Sequence, residues 1–227
     1  MKYENTRSRR IGRPLSFDRE AALHQAMLLF WRHGYEATSL SQLTAAMGIS
    51  PPSLYAAFGD KKQLFLEAVG RYNAWRMGAA EVIEEAPTAR EAVWTMLRAT
   101  AAAFTDPDLP AGCLLVSGAT NCSPGSADVQ AALSEIRLNL EGRLRARIQR
   151  DVDAGLLPRG TDAGVLAALY MTLIQGMSNQ ARDGATRDAL VALAHAAMNA
   201  WPATPDGAHP KPEVMADTRS TTPGAAT

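Results

Sequence analysis

Apolar residues recur along most of this chain every three to four positions, the spacing of one helix face, and nowhere alternate as a half-buried strand would. Leu23, Met27, Phe30 and Trp31 share one face of a first helix, predicted from near Asp18 to Gly34 with Ser16 as its cap. Leu40, Leu43, Ala46 and Met47 mark a shorter helix that starts from the Thr38-Ser39 capping region and breaks at Gly48. After a three-residue turn, Ser50 offers a capping hydroxyl. Pro51 takes the first helical position, where a missing N–H leaves no bond unmade, so a third helix is expected from Pro51 to Phe58. Lys61 to about Glu85 reads as a fourth, stopped by Pro87.

The same spacing continues through Val93, Met96, Leu97, Ala101 and Phe104, in a helix between Thr88 and Thr105, followed by a short apolar piece from Gly112 to Asn121. Ser126 opens a long helix whose stripe is Val129, Leu133, Ile136, Leu140, Leu144, Ile148 and Val152, with Arg143, Arg145, Arg147 and Arg150 expected mostly to face elsewhere. A helix from Asp162 carries Leu166, Leu169, Tyr170, Leu173, Ile174 and Met177. A last one, from Thr186 to Trp201, carries Leu190, Leu193, Ala194, Ala197 and Met198. The expectation is an all-α chain in four stretches: a flexible arm over 1–15, a helix-turn-helix unit over 16–65, a helical bundle over 66–202, and a disordered tail over 203–227 that lacks apolar periodicity.

Charge changes this picture only locally. Lys plus Arg and Asp plus Glu both number 23 in 227 residues, so no global bias toward a polyanion exists. Residues 1–13 nevertheless hold Lys2, Arg7, Arg9, Arg10 and Arg13 against Glu4 alone, the electrostatic footprint of a nucleic-acid partner. No stretch approaches the roughly 20 apolar residues of a membrane span, and the basic start leads into Gly12 and Pro14 instead of an apolar signal core; cytoplasmic residence without membrane contact is expected. Two cysteines, Cys113 and Cys122, are too few to staple a chain of this size.

Two short helices across a three-residue turn, behind a packing helix and a basic arm, form a helix-turn-helix whose second helix enters the major groove. Ser50, Pro52 and Ser53 at its leading end are candidates for base edges. Thr38, Tyr55 and Lys61 are candidates for phosphate, and Arg9, Arg10 and Arg13 for the adjoining minor groove. The run Ala21 to Phe65, with FWRHGYEATSLSQLTAAMGISPPSLYAAFGDKKQLF, resembles the DNA-binding domain of the tetracycline-repressor-like (TetR) family. The likeness rests on Phe30, Gly34, Tyr35, Thr38, Gly48, Ile49, Ser50, Leu54, Tyr55, Phe58, Lys61 and Leu64 at the family's spacings. One departure stands out: many members carry an aromatic and a histidine where this chain has Ala56 and Ala57, which leaves fewer side chains to read bases.

The resemblance implies about nine helices, a homodimer, a palindromic double-stranded operator, and repression relieved by a small-molecule effector in the C-terminal domain. Small residues beside leucines on the last two helices, Ala167, Ala168, Gly176, Ala194 and Ala197, suit close pairing with a second copy. Trp94, Phe104, Asn121, Arg137, Tyr170 and Gln175 mix apolar surface with a few polar groups and are the expected lining of an effector cavity. Cys113 follows a glycine at the start of the short apolar piece, in a segment that resembles one found in a subgroup of the family. A thiol near a helix start can sense oxidants or electrophiles, with Cys122 as a companion.

An enzyme is the competing class. His24, His33, His195 and His209 form no metal-ligand pair with cysteine or carboxylate, and no nucleophile elbow, P-loop or dinucleotide fingerprint is present; no cofactor or metal is expected. Asp151 and Asp153 read as one solvated helix end. A DNA-binding regulator with no effector is the other alternative, separated from the first by whether any ligand releases the operator.

Overall fold

The computed structural model describes residues 17–75 and 78–203. The basic arm, with Arg9, Arg10, Arg13 and the expected cap Ser16, and nearly all of the expected tail lie outside the described residues. Among the described residues the chain forms ten α-helices and one 3-10 turn, with no strand. The order is α1 Arg19–His33, α2 Leu40–Met47, α3 Pro51–Phe58, α4 Lys61–Trp75, α5 Gly78–Glu85, α6 Ala89–Phe104, α7 Leu114–Ser117, α8 Ala127–Asp153, α9 Ala163–Arg182 and α10 Arg187–Met198. The segment expected as one helix from Lys61 to Glu85 is described as α4 and α5, on either side of residues 76–77. No helix among the described residues is long and apolar enough to cross a membrane.

Local chemistry sets these boundaries. Asp18 caps α1 by accepting from the N–H groups of Glu20 and Ala21. Ser39 and Gln42 close a reciprocal capping box on α2, and Gly48, at φ 66°, ends that helix in the left-handed conformation that a glycine adopts without strain. Ser50 caps α3, and Asp60 accepts from the Gln63 N–H at the start of α4.

In the N-terminal unit α1 packs on α2 and α4, with Phe30, Trp31, Leu43, Leu54, Leu64, Phe65 and Tyr72 fully buried. In the bundle α8 lies on α9, and α6 on α9 and α10. The short α7 touches α1, α4, α8 and α9, so it sits where the two units meet. There the Tyr35 N–H donates to the Gly118 carbonyl at 2.7 Å, and the Glu36 carboxylate accepts from the N–H and hydroxyl of Ser123 at 3.0 and 2.9 Å.

Two polar side chains depart from expectation. Arg147 is buried instead of facing solvent: it pairs with Asp151 one turn on and donates to the carbonyls of Ala86 and Pro87. Asp151, expected at a solvated helix end, is buried as well and accepts from the Ala89 N–H at 2.7 Å. The pair ties the loop between α5 and α6 to α8 by satisfying three main-chain groups that no helix satisfies.

Candidate DNA interface and effector cavity

The turn Gly48-Ile49-Ser50 joins α2 to α3 and leaves the leading end of α3 at the surface. Pro51, Pro52, Tyr55 and Ala56 are exposed on one arc of α3, and Leu54 and Phe58 are buried on the other. Ser50 accepts from the Ser53 N–H, and the two hydroxyls lie 2.9 Å apart, so the serines expected at base edges also hold the cap. Tyr55 is half exposed, as suits a ring that packs below while its hydroxyl reaches a phosphate.

Lys61 lies over the Tyr35 ring at 4.4 Å and within 3.5 Å of the Glu36 carbonyl. Burial lowers its pKa from the ordinary value, while Glu36 pulls in the opposite direction. Thr38 differs from expectation. It is fully buried and its hydroxyl donates to the Gly34 carbonyl at 2.6 Å, so that hydroxyl closes the α1–α2 turn instead of facing a phosphate.

Between α4 and α9 lies a cavity of about 650 Å³ that is open to the surface on one side. Its wall is mainly apolar, with Tyr72, Met96, Phe104, Ile136, Leu140 and Met171 prominent; Arg137, Gln175 and Thr100 are among its polar groups, and the exposed Glu81, Glu84, Glu85 and Arg143 also border it. The volume is that of a drug-sized ligand site. Of the six residues expected to line an effector cavity, Phe104, Arg137 and Gln175 are in this wall, and Arg137 also donates to the Leu115 carbonyl of α7. The other three expected residues are not in this wall. Trp94 packs against the His195 ring, tilted, with centroids 4.5 Å apart; Asn121 is exposed in the loop before α8; Tyr170 is buried, with its hydroxyl donating to the Ala197 carbonyl. Burial pushes the Tyr170 phenol up to about 12, against the pull of Arg90.

The two cysteines also separate. Cys113 lines the cavity, accepts a hydrogen bond from the Tyr72 hydroxyl at 3.4 Å and donates its N–H to Ser178. A side chain at Gly112, whose φ is 81°, would come within 2.8 Å of the Ser178 carbonyl, so the glycine before Cys113 lets the chain pass α9. Cys122 is half-buried near Glu36 and Lys61, and burial, reinforced by Glu36, raises its thiol pKa. Sequence reasoning missed Tyr72 as a wall residue, because only the packing of α4 on α7 brings it there.

A half-exposed helix after a tight turn, mounted on a bundle that contains a ligand-sized cavity, defines a helix-turn-helix DNA-binding regulator. The N-terminal model of bacterial regulatory proteins of the tetR family matches residues 22–68, and the tetracyclin repressor-like C-terminal domain matches residues 89–198. The chain belongs to the TetR family. It is 39% identical over 194 residues to the HTH-type transcriptional repressor ComR of Escherichia coli (strain K12), covering 84% of this chain and 92% of that protein. The repressor BdcR of the same organism is 29% identical, with 82% and 90% covered. Among solved structures, the TetR family regulator CifR, as a cysteine mutant bound to 26-bp double-strand operator DNA, is 44% identical with a TM-score of 0.80, over 84% of this chain and 100% of that one.

Proposed function

We propose that this chain is a dimeric repressor that leaves a palindromic operator when a small molecule enters the cavity between α4 and α9. The observation that carries it is the path of α4: its first residue is Lys61, beside the recognition helix, and its last turns contribute Tyr72, Asn73 and Trp75 to the cavity wall. One rigid element therefore has the DNA-facing surface at one end and the effector at the other. Exposed Val165, Leu169 and Leu193 on α9 and α10 supply the apolar surface for a second copy. Two recognition helices must lie about 34–36 Å apart to meet successive major grooves, and an effector that favours another spacing breaks the match. Moving the population from 1:99 to 99:1 needs about 5.5 kcal/mol of differential affinity.

A second reading is favoured by the position of Cys113 in the cavity wall beside the Tyr72 hydroxyl: the signal is then an electrophile or oxidant that modifies this thiol. Cys122 is not in the cavity wall, and burial raises its thiol pKa, which lowers its thiolate fraction. Selection from random duplex DNA, with mass measurement of the complex by light scattering, tests the core of the proposal; two chains on one palindrome are expected. A screen of small molecules and mild thiol oxidants against that complex, with wild type and Cys113→Ser, then separates the readings. Monomeric protein with no preferred duplex would defeat both.

A further inference from the structure

Resting on the operator-binding reading above, we infer that the recognition helix reads thymine methyl groups, through Pro52 and Ala56, and not hydrogen-bonding base edges. Discrimination by hydrogen bonds in the major groove relies on bidentate groups: Arg or Lys on guanine, Asn or Gln on adenine, carboxylates on cytosine. The sequence of α3, Pro-Pro-Ser-Leu-Tyr-Ala-Ala-Phe, contains none of them. Its exposed arc offers two proline rings, one tyrosine and one methyl group.

The remaining polar groups are weak readers. Ser50 accepts from the Ser53 N–H and shares a 2.9 Å contact with the Ser53 hydroxyl, so a base must compete with the helix cap for either one. A serine hydroxyl also donates and accepts alike, and so suits several bases. Gln42, the one amide side chain on α2, has its oxygen in the capping box, where it accepts from the Ser39 N–H at 2.8 Å, so it cannot pair with adenine through both of its ends. What distinguishes one base pair from another on this surface is shape and apolar contact. The major-groove group that rewards apolar contact is the C5-methyl of thymine. Pro52 and Ala56, four residues apart, stand one turn apart on the same exposed arc and can each meet a methyl along one strand.

The test uses the full-length protein and a duplex selected from a random library, with each thymine replaced singly by deoxyuridine. That exchange deletes one methyl and leaves every base-pairing and groove hydrogen-bonding group in place. Binding is followed by fluorescence anisotropy. At least one thymine in each half-site is expected to weaken binding about fourfold when its methyl is removed, the fold-change equivalent to burying one methyl-sized group. The symmetric pair of exchanges is expected to give roughly sixteenfold. Ala56→Gly is expected to abolish the penalty at one of these thymines, with helicity by circular dichroism as the check that α3 is intact; the wild-type series stands without this variant.

Because the methyl lies in the major groove, the minor-groove contact expected of Arg9, Arg10 and Arg13 would not enter the readout. If every single exchange alters affinity less than 1.5-fold (roughly one-third of the effect of one buried methyl), thymine reading is overturned while operator binding stands. Loss of binding on replacing guanine by 7-deazaguanine, with no deoxyuridine effect, likewise overturns it in favour of hydrogen-bonded readout. Enrichment of no duplex at all overturns the operator reading itself.

Discussion

Around Phe30 the N-terminal unit is filled with rings. Phe65 meets it edge-on at 5.0 Å, Tyr35 lies 6.3 Å away, and Trp31 packs against Tyr72 at 4.9 Å. The bundle behind it holds an open-sided cavity of about 650 Å³, and the polar pair Arg147 and Asp151 ties its α5–α6 loop to α8. These rings lock α1 to α4, the two helices on which α2 and α3 pack, and so give a reader of fixed groove geometry a firm frame. A bundle with internal space has room for its helices to shift, which the effector response proposed above would use. The contrast is between a unit filled by rings and a bundle that leaves space for a ligand.

The largest effect is expected at the polar lock. Arg147→Ala leaves the buried Asp151 carboxylate without its partner and should destabilise the protein by about 3–5 kcal/mol in urea unfolding. The double change Arg147→Met with Asp151→Leu removes both charges. It should recover part of that loss, but about 1–3 kcal/mol remains, because the Ala89 N–H and the Ala86 and Pro87 carbonyls lose their partners. An Arg147→Ala loss below about 1 kcal/mol would show that the pair is not the fastening of this half.

The next effect tests the contrast directly by adding the same three carbons on each side. Ala26 is fully buried in the ring-filled core, so Ala26→Leu should destabilise by about 1–3 kcal/mol. Ala103 lines the cavity, so Ala103→Leu should change stability by less than about 1 kcal/mol while blunting any effector response. Equal losses at the two positions would mean that the cavity wall is as rigid as the core.

The same contrast explains what the sequence made legible. Helix ends and the turn at Gly48 depend on neighbours within four residues, and Ser39, Ser50 and Pro51 announce them. The cavity depends on which helices meet. Phe104, Arg137 and Gln175 line it, while Tyr170 and Trp94, on the same kind of apolar stripe, turn toward α10. Arg147 and Asp151 looked like surface charges because periodicity places a side chain on a face without saying what covers that face. The main chain of residues 86–89 covers this one.

The smallest expected effect lies at the junction where the two parts must communicate. Hydrogen bonds from Ser126, from the Ser123 N–H and from the Ser123 hydroxyl hold the Glu36 carboxyl below its ordinary pKa of 4.5, with burial acting weakly the other way. A carboxyl whose pKa is lowered in the folded state contributes stability that is fully present above the ordinary value and is lost as pH falls through the lowered one. Glu36→Gln keeps an acceptor oxygen for Ser123 but removes the charge, so this titration disappears. Melting temperatures of the two proteins should therefore run parallel from pH 7 down to about 5 and converge below it, as wild type loses what the variant never had. The carboxylate is exposed, so the convergence is expected to be slight, and it is read as a difference in slope between the two proteins, which cancels the titration of every other acid. Parallel curves through the whole acid range would mean that the Glu36 charge does not fasten α1–α2 to the loop before α8, and that the Tyr35–Gly118 hydrogen bond and the packing of α1 and α4 on α7 hold the junction without it.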